Sequence, residues 1–107
     1  GGDKPSTGFD CSGFVRYVFR HSLGLRLPST SASQFHAGTR VKRADMKAGD
    51  LVFFRIRGKR ISHVGIYLGN GRFIHAPTAG KRVSISSLDN GYWSKHFAGA
   101  KRPKVLS

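Results

Sequence analysis

A chain of 107 residues has room for one core and excludes a second domain. Hydrophobic residues at 38%, with eight Phe, three Tyr and one Trp, exclude a disordered chain, and no apolar run approaches the roughly 20 residues of a membrane helix. Nineteen Lys and Arg against five acids, net charge +14, make a field that attracts polyanions, but charge alone does not choose among nucleic acid, anionic cell-envelope polymers, lipid headgroups and a merely solvated surface.

Residues 1–9, "GGDKPSTGF", are rich in Gly, Pro, Ser and Thr and predict a loop. No signal peptide opens the chain, and the abrupt start is that expected of a mature or trimmed piece. Asp10 can cap a helix over about residues 11–23, with Gly24 just past its end. Cys11, Phe14, Val15, Val18 and Ser22 share one face at i, i+3, i+4, i+7 spacing. "LPSTSASQFHAG" carries Ser and Thr caps and predicts one short helix before Gly38. Strands are predicted at about 50–56, 61–68, 71–76 and 82–86, split by Gly-rich turns. "SSLDNGYWS" predicts a short turn of helix, and a last short strand precedes "KRPK". Short links favour pairing of sequential neighbours, so the expected architecture is α+β. The first helix packs on a small, curled antiparallel meander.

The hairpin "SHVGIYLGNGRFIHA" carries the first functional signal. A three-residue Gly69-Asn70-Gly71 loop, with Gly71 in the left-handed region, sets Leu68 opposite Arg72, Ile66 opposite Ile74 and Gly65 opposite His75. Val64, Ile66, Leu68, Ile74 and Ala76 then share one face, and His63, Gly65, Tyr67, Phe73 and His75 the other. A two-residue Asn-Gly loop would slip the register and send the histidines to opposite faces. In the preferred register His63 and His75 are diagonal neighbours, about 7–8 Å apart at Cα. Gly65 leaves space above the strands. Taken alone, the hairpin favours two ordinary half-exposed histidines on a polar sheet face, where His is tolerated.

The single cysteine excludes an internal disulfide and a multi-cysteine metal site. Cys11 opens the predicted first helix, whose N-terminal dipole favours a thiolate, although Asp10 beside it works against that. A thiol, a base and a group that orients the base make an activated nucleophile, and Cys11, His63 and His75 supply one of each. Backbone N–H groups at the helix start offer an oxyanion site, and the slim Ser12-Gly13 step lets a carbonyl approach. A buried, inert thiol is the plain alternative.

Taken together, "GFDCSGFVRYVF", "AGDLVFF" and "SHVGIYLGNGRFIHAP" resemble the NlpC family of cell-wall cysteine endopeptidases, over nearly the whole chain and in family order. The resemblance implies a papain-like fold, with Cys11 as nucleophile, His63 as general base and His75 as the residue that orients it. Ser12 and Gly65 fall beside the oxyanion and substrate. It implies hydrolysis of peptidoglycan stem peptides at the bond between γ-linked D-glutamate and the diamino acid that follows. No metal or organic cofactor is implied. The family's tyrosine before the "GG" would fall upstream of Gly1, as would its leading helix, so residues 1–107 are expected to be one catalytic domain without that segment. Tyr17 and Tyr67 do not take the tyrosine's place.

The expected setting is the periplasm or the extracellular envelope, with a lipid anchor on an upstream segment as one route there. The expected partners are the stem peptide and anionic envelope polymers, with no specific nucleic acid, no transmembrane segment and a monomeric chain. Two rival readings are a papain-like amidase or acyltransferase with the same triad, and a basic module that binds wall or nucleic acid without turnover. The order Cys, His, His is unpermuted, which argues against the permuted lipid-acyltransferase branch.

Overall fold

The structure, a computed structural model, describes residues 3–4, 8–9, 11–56, 58–76 and 82–103. The first stretch is not all loop: β1 (Asp3–Lys4) and β2 (Gly8–Phe9) pair antiparallel, and β1 packs against the first helix. The expected Asp10 cap lies outside the described residues.

Helix α1 (Cys11–Leu23) runs where the apolar spacing puts it. Gly24 ends it at φ 68, and the Gly24 and Leu25 N–H groups return to the carbonyls of Arg20 and Phe19. Its buried stripe is rotated from the expected one. Ser12, Phe14, Val15 and Phe19 are buried, Cys11 and Val18 are only partly so, and Ser22 is exposed. The large Phe19 ring, one turn beyond Val15, draws that side of the helix onto the sheet.

Helix α2 (Ser31–Ala37) opens with a capping box. The Ser33 N–H donates to Thr30 Oγ1, and the Thr30 N–H donates to Ser33 Oγ. Strand β3 (Thr39–Val41), which the sequence pattern does not announce, follows, and then a single 3₁₀ turn at Arg43–Asp45.

Strands β4 (Leu51–Phe54), β5 (His63–Gly69), β6 (Arg72–His75) and β7 (Ser84–Ser87) form the expected antiparallel meander. Helix α3 (Gly91–His96), capped by Asn90, leads into β8 (Phe97–Arg102). Here the sequential-neighbour rule fails. β8 returns across the meander and inserts between β3 and β4, giving the order β3-β8-β4-β5-β6-β7. It is six residues long and internal rather than a short terminal edge. Small residues make the insertion possible: Ala100 pairs with Val52, and Gly99, at φ 147, pairs with Phe53.

The sheet is buried on both faces. Phe14, Val15, Phe19, Leu51, Phe53, Val64, Ile66 and Ala76 cluster on the α1 side. Val41, Val52, Phe54, Tyr67, Phe73, Leu88 and Ala100 cluster on the other, with Trp93 and Phe97 packed against them. The unbroken apolar run Leu51–Phe54 follows from this, since alternate residues enter opposite cores.

The hairpin register is the expected one, with a different turn. Ile66 pairs with Ile74 and Tyr67 with Phe73, but Gly69, not Leu68, pairs with Arg72. The loop has two residues, Asn70 and Gly71, both at positive φ (54 and 78) as a primed turn requires. A bulge at Leu68 absorbs the extra residue and cancels the slip that such a turn would cause. Leu68 is thereby turned to solvent at 40% exposure instead of facing the core. The Gly71 N–H donates to the Tyr67 hydroxyl at 2.8 Å, which pins the turn to the second core.

Candidate active site

The bulge decides where the histidines lie. His63 opens β5 and His75 closes β6, on the face that carries Tyr67 and Phe73. That face is a second core, not a polar surface: His63 is 3% exposed and His75 0%. His63 Nε2 lies 2.7 Å from His75 Nδ1, with the rings nearly perpendicular at 81°. The pair expected from diagonal register is therefore a direct hydrogen bond.

Three aromatic rings wall the pair. Trp93 of α3 stacks on His63 at 5.4 Å and 26°, and meets His75 edge-on at 4.9 Å. Phe54 lies 5.9 Å from His63, and Phe73 lies 4.6 Å from His75. Removal from water penalises the imidazolium form, so the His63 pKa is lowered to about 4, with His75 adding a smaller repulsive effect. Burial likewise lowers the His75 pKa to about 4. At neutral pH both rings are neutral.

The chain of contacts goes one residue further. His75 Nε2 lies 2.9 Å from Ser86 Oγ on β7. Neither Ser86 nor Trp93 stands out in the sequence. The alternation in "VSIS" could have put Ser84 and Ser86 on the His75 face, but nothing local to α3 aims Trp93 at the histidines.

Cys11 is the first residue of α1, half-buried, with its Sγ 3.9 Å from the Ser62 carbonyl oxygen. Ser62 immediately precedes His63, so the start of α1 meets the start of β5. Ser12 is buried, and its carbonyl accepts from Gln34 Nε2 at 3.4 Å, which ties α2 to the first turn of α1. Gly65 does leave room above the strands, but the room is filled. A Cβ there would stand 2.8 Å from Phe73 Cδ2, 3.0 Å from the Ile74 carbonyl oxygen and 3.1 Å from His75 Cβ. Its smallness seats Phe73 and His75 close to β5.

Among the described residues no group of three or more His, Cys, Asp and Glu is arranged to hold a metal ion. Among them, too, no helix is long and apolar enough to cross a membrane.

The model of the NlpC/P60 family matches residues 1–102. Murein DD-endopeptidase MepH of Escherichia coli K12 is 44% identical over 112 residues, covering 99% of this chain and 41% of that protein. Gamma-DL-glutamyl hydrolase of Bacillus subtilis 168 is 46% identical over 103 residues, covering 95% of this chain and 25% of that one. A crystal structure from Staphylococcus aureus Mu50, described as similar to a lipoprotein of the NLP/P60 family, superposes with a TM-score of 0.85 at 37% identity. It covers 95% of this chain and 34% of that one. The chain thus spans less than half the length of each of these three proteins.

Proposed function

The chain belongs to the NlpC/P60 family, with its α+β fold of a helix on an antiparallel sheet, and on that premise we propose that it is a cysteine endopeptidase of peptidoglycan stem peptides acting through Cys11, His63 and His75. The observation that carries the reading is the buried 2.7 Å bond between His63 and His75, at the end of β5 that Cys11 approaches. A buried imidazole pair walled by aromatics contributes little to stability that apolar residues would not, so its chemistry is the better reason for it.

The mechanism follows from the geometry. Nε2 of His63 is committed to His75, which leaves Nδ1 to take the thiol proton. Desolvation disfavours imidazolium, so the resting pair is thiol and neutral imidazole, and proton transfer accompanies attack. Sulfur adds to the peptide carbonyl, and backbone N–H groups at the start of α1, beside Ser12, hold the oxyanion. Imidazolium at His63 returns its proton to the leaving amine, and the C–N bond breaks to give a thioester. Water, deprotonated by His63, attacks the thioester and releases the carboxylate and the Cys11 thiol. Gly65 serves this site by seating His75.

The bond proposed is the one between γ-linked D-glutamate and the diamino acid. The reading places the protein at work in the periplasm or outside the cell, where its net charge of +14 draws it to anionic envelope polymers. Purified muropeptides with and without a cross-link test it by mass spectrometry. The expected products are a disaccharide-peptide ending in D-glutamate and a peptide that begins with the diamino acid, both absent with Cys11→Ala. Cleavage only at the D,D cross-link overturns the bond assignment, and wild-type turnover by Cys11→Ala overturns the nucleophile.

A further inference from the structure

We infer that Ser86 is a positioning residue of this site: its hydroxyl, accepting from His75 Nε2–H, sustains the run of tautomers that leaves Nδ1 of His63 unprotonated. The inference rests on the Cys11-His63-His75 reading. It starts from the two contacts of a fully buried ring, His75 Nδ1 at 2.7 Å from His63 Nε2 and His75 Nε2 at 2.9 Å from Ser86 Oγ.

Two neutral arrangements fit those distances. In one, His63 Nε2–H donates to His75 Nδ1, and His75 Nε2–H donates to Ser86 Oγ. In the other, every proton is shifted the opposite way, so His63 carries its proton on Nδ1 and cannot accept one from the thiol. Only the first makes a base. A hydroxyl serves either arrangement, so with Ser86 in place the first is fully bonded. Without its oxygen the first leaves a buried ring N–H with no acceptor. At His75 the second leaves only an idle lone pair, and a stranded donor is the rarer and costlier of the two. The acceptor at position 86 therefore keeps the base-competent arrangement populated.

Ser86, not its neighbour, is built for this. Ser84 is the residue paired with His75 across β6 and β7, yet its hydroxyl donates to the Arg82 carbonyl. Ser86 is paired with Phe73, and reaches His75 on the diagonal.

Ring ¹⁵N spectra of the labelled chain at neutral pH read the tautomers without any turnover. Wild type should show His63 and His75 both protonated on Nε2. Ser86→Ala should move both toward Nδ1–H, with kcat falling about 10-fold and KM holding within about twofold. Ser86→Thr should restore the wild-type tautomers and most of kcat. Wild-type spectra with His75 protonated on Nδ1 overturn the proposal even where the alanine variant fails to fold. Unchanged tautomers or unchanged kcat in Ser86→Ala overturn it too. Loss of turnover in Cys11→Ala and His63→Ala, with Ser86→Ala at wild-type rate, strikes Ser86 alone. Wild-type turnover in Cys11→Ala strikes the triad instead, while the spectra still report on Ser86.

Discussion

At one end of β4, Asp50 and Arg102 meet as full charges; at the other, His63 and His75 meet as neutral rings. Asp50 accepts from Arg102 Nε at 2.7 Å and Nη2 at 2.9 Å, and its Oδ2 also accepts the Lys47 N–H. Arg102 donates once more, to the Asp45 carbonyl. Its hydrogen bond to Asp50 is the largest influence on the guanidinium, and raises its pKa. Every formal charge in that pair has a partner, and the result ties β8 to the start of β4. The imidazole pair has no counter-charge and is held neutral by desolvation. Two polar pairs on one sheet, one partly open to water at Arg102 and one wholly buried, thus differ in kind. The first fixes strand order, and the second keeps a proton acceptor ready.

Substitutions can set the two apart. His63→Ala should lower turnover of a soluble stem peptide by roughly 100-fold or more per folded molecule, a loss that its effect on the unfolding midpoint does not account for. His75→Ala should cost less, since the base remains, and His75→Asn should recover part of the loss; equal losses in the two alanine variants would break the division of roles. Asp50→Ala should do the reverse of His63→Ala, lowering the urea midpoint clearly while the folded fraction keeps its kcat. Gly65→Ala forces Phe73 and His75 aside, and should cost about 1–3 kcal/mol in urea unfolding along with part of kcat.

The smallest expected effect is a shift in pH. With the His63 pKa near 4, the acid limb of kcat/KM should lie well below the ordinary 6.5. Trp93→Ala rehydrates the ring, so the limb should move up toward 6.5 with little change at neutral pH. Stability carries the same sign. The unfolded histidines take up protons near pH 6.5 that the folded ones refuse until about 4, so stability falls as pH drops through that window. A flat urea midpoint from pH 6.5 to 4 would contradict the buried, neutral pair.

What the sequence made legible was what neighbours along the chain determine. The α1 spacing, the Thr30 cap and the parity of His63 against His75 are all set within a dozen residues. Asp50 and Arg102 are 52 residues apart, and no local period announces that β8 will come back beside β4. Trp93 carries no local signal for the same reason, since its partners lie on β4, β5 and β6 and only the return through α3 brings it to them. Leu68 failed differently. A two-residue turn with a compensating bulge gives the register of a three-residue loop by another route, and turn chemistry alone does not separate the two.

That bulge has a consequence for insertions and deletions. The side on which His75 emerges depends on residue 68 staying out of the ladder, not on the chemistry of Leu68, whose side chain is 40% exposed. Many residue types should be tolerated at position 68, and excising the residue should leave Gly69 against Arg72, Tyr67 against Phe73 and His75 on its present face; only a Leu68 drawn into the ladder opposite Phe73 would carry His75 to the α1 side. Loss of a single codon there would straighten the hairpin and spare the site, so the position has room for change in length as well as in kind.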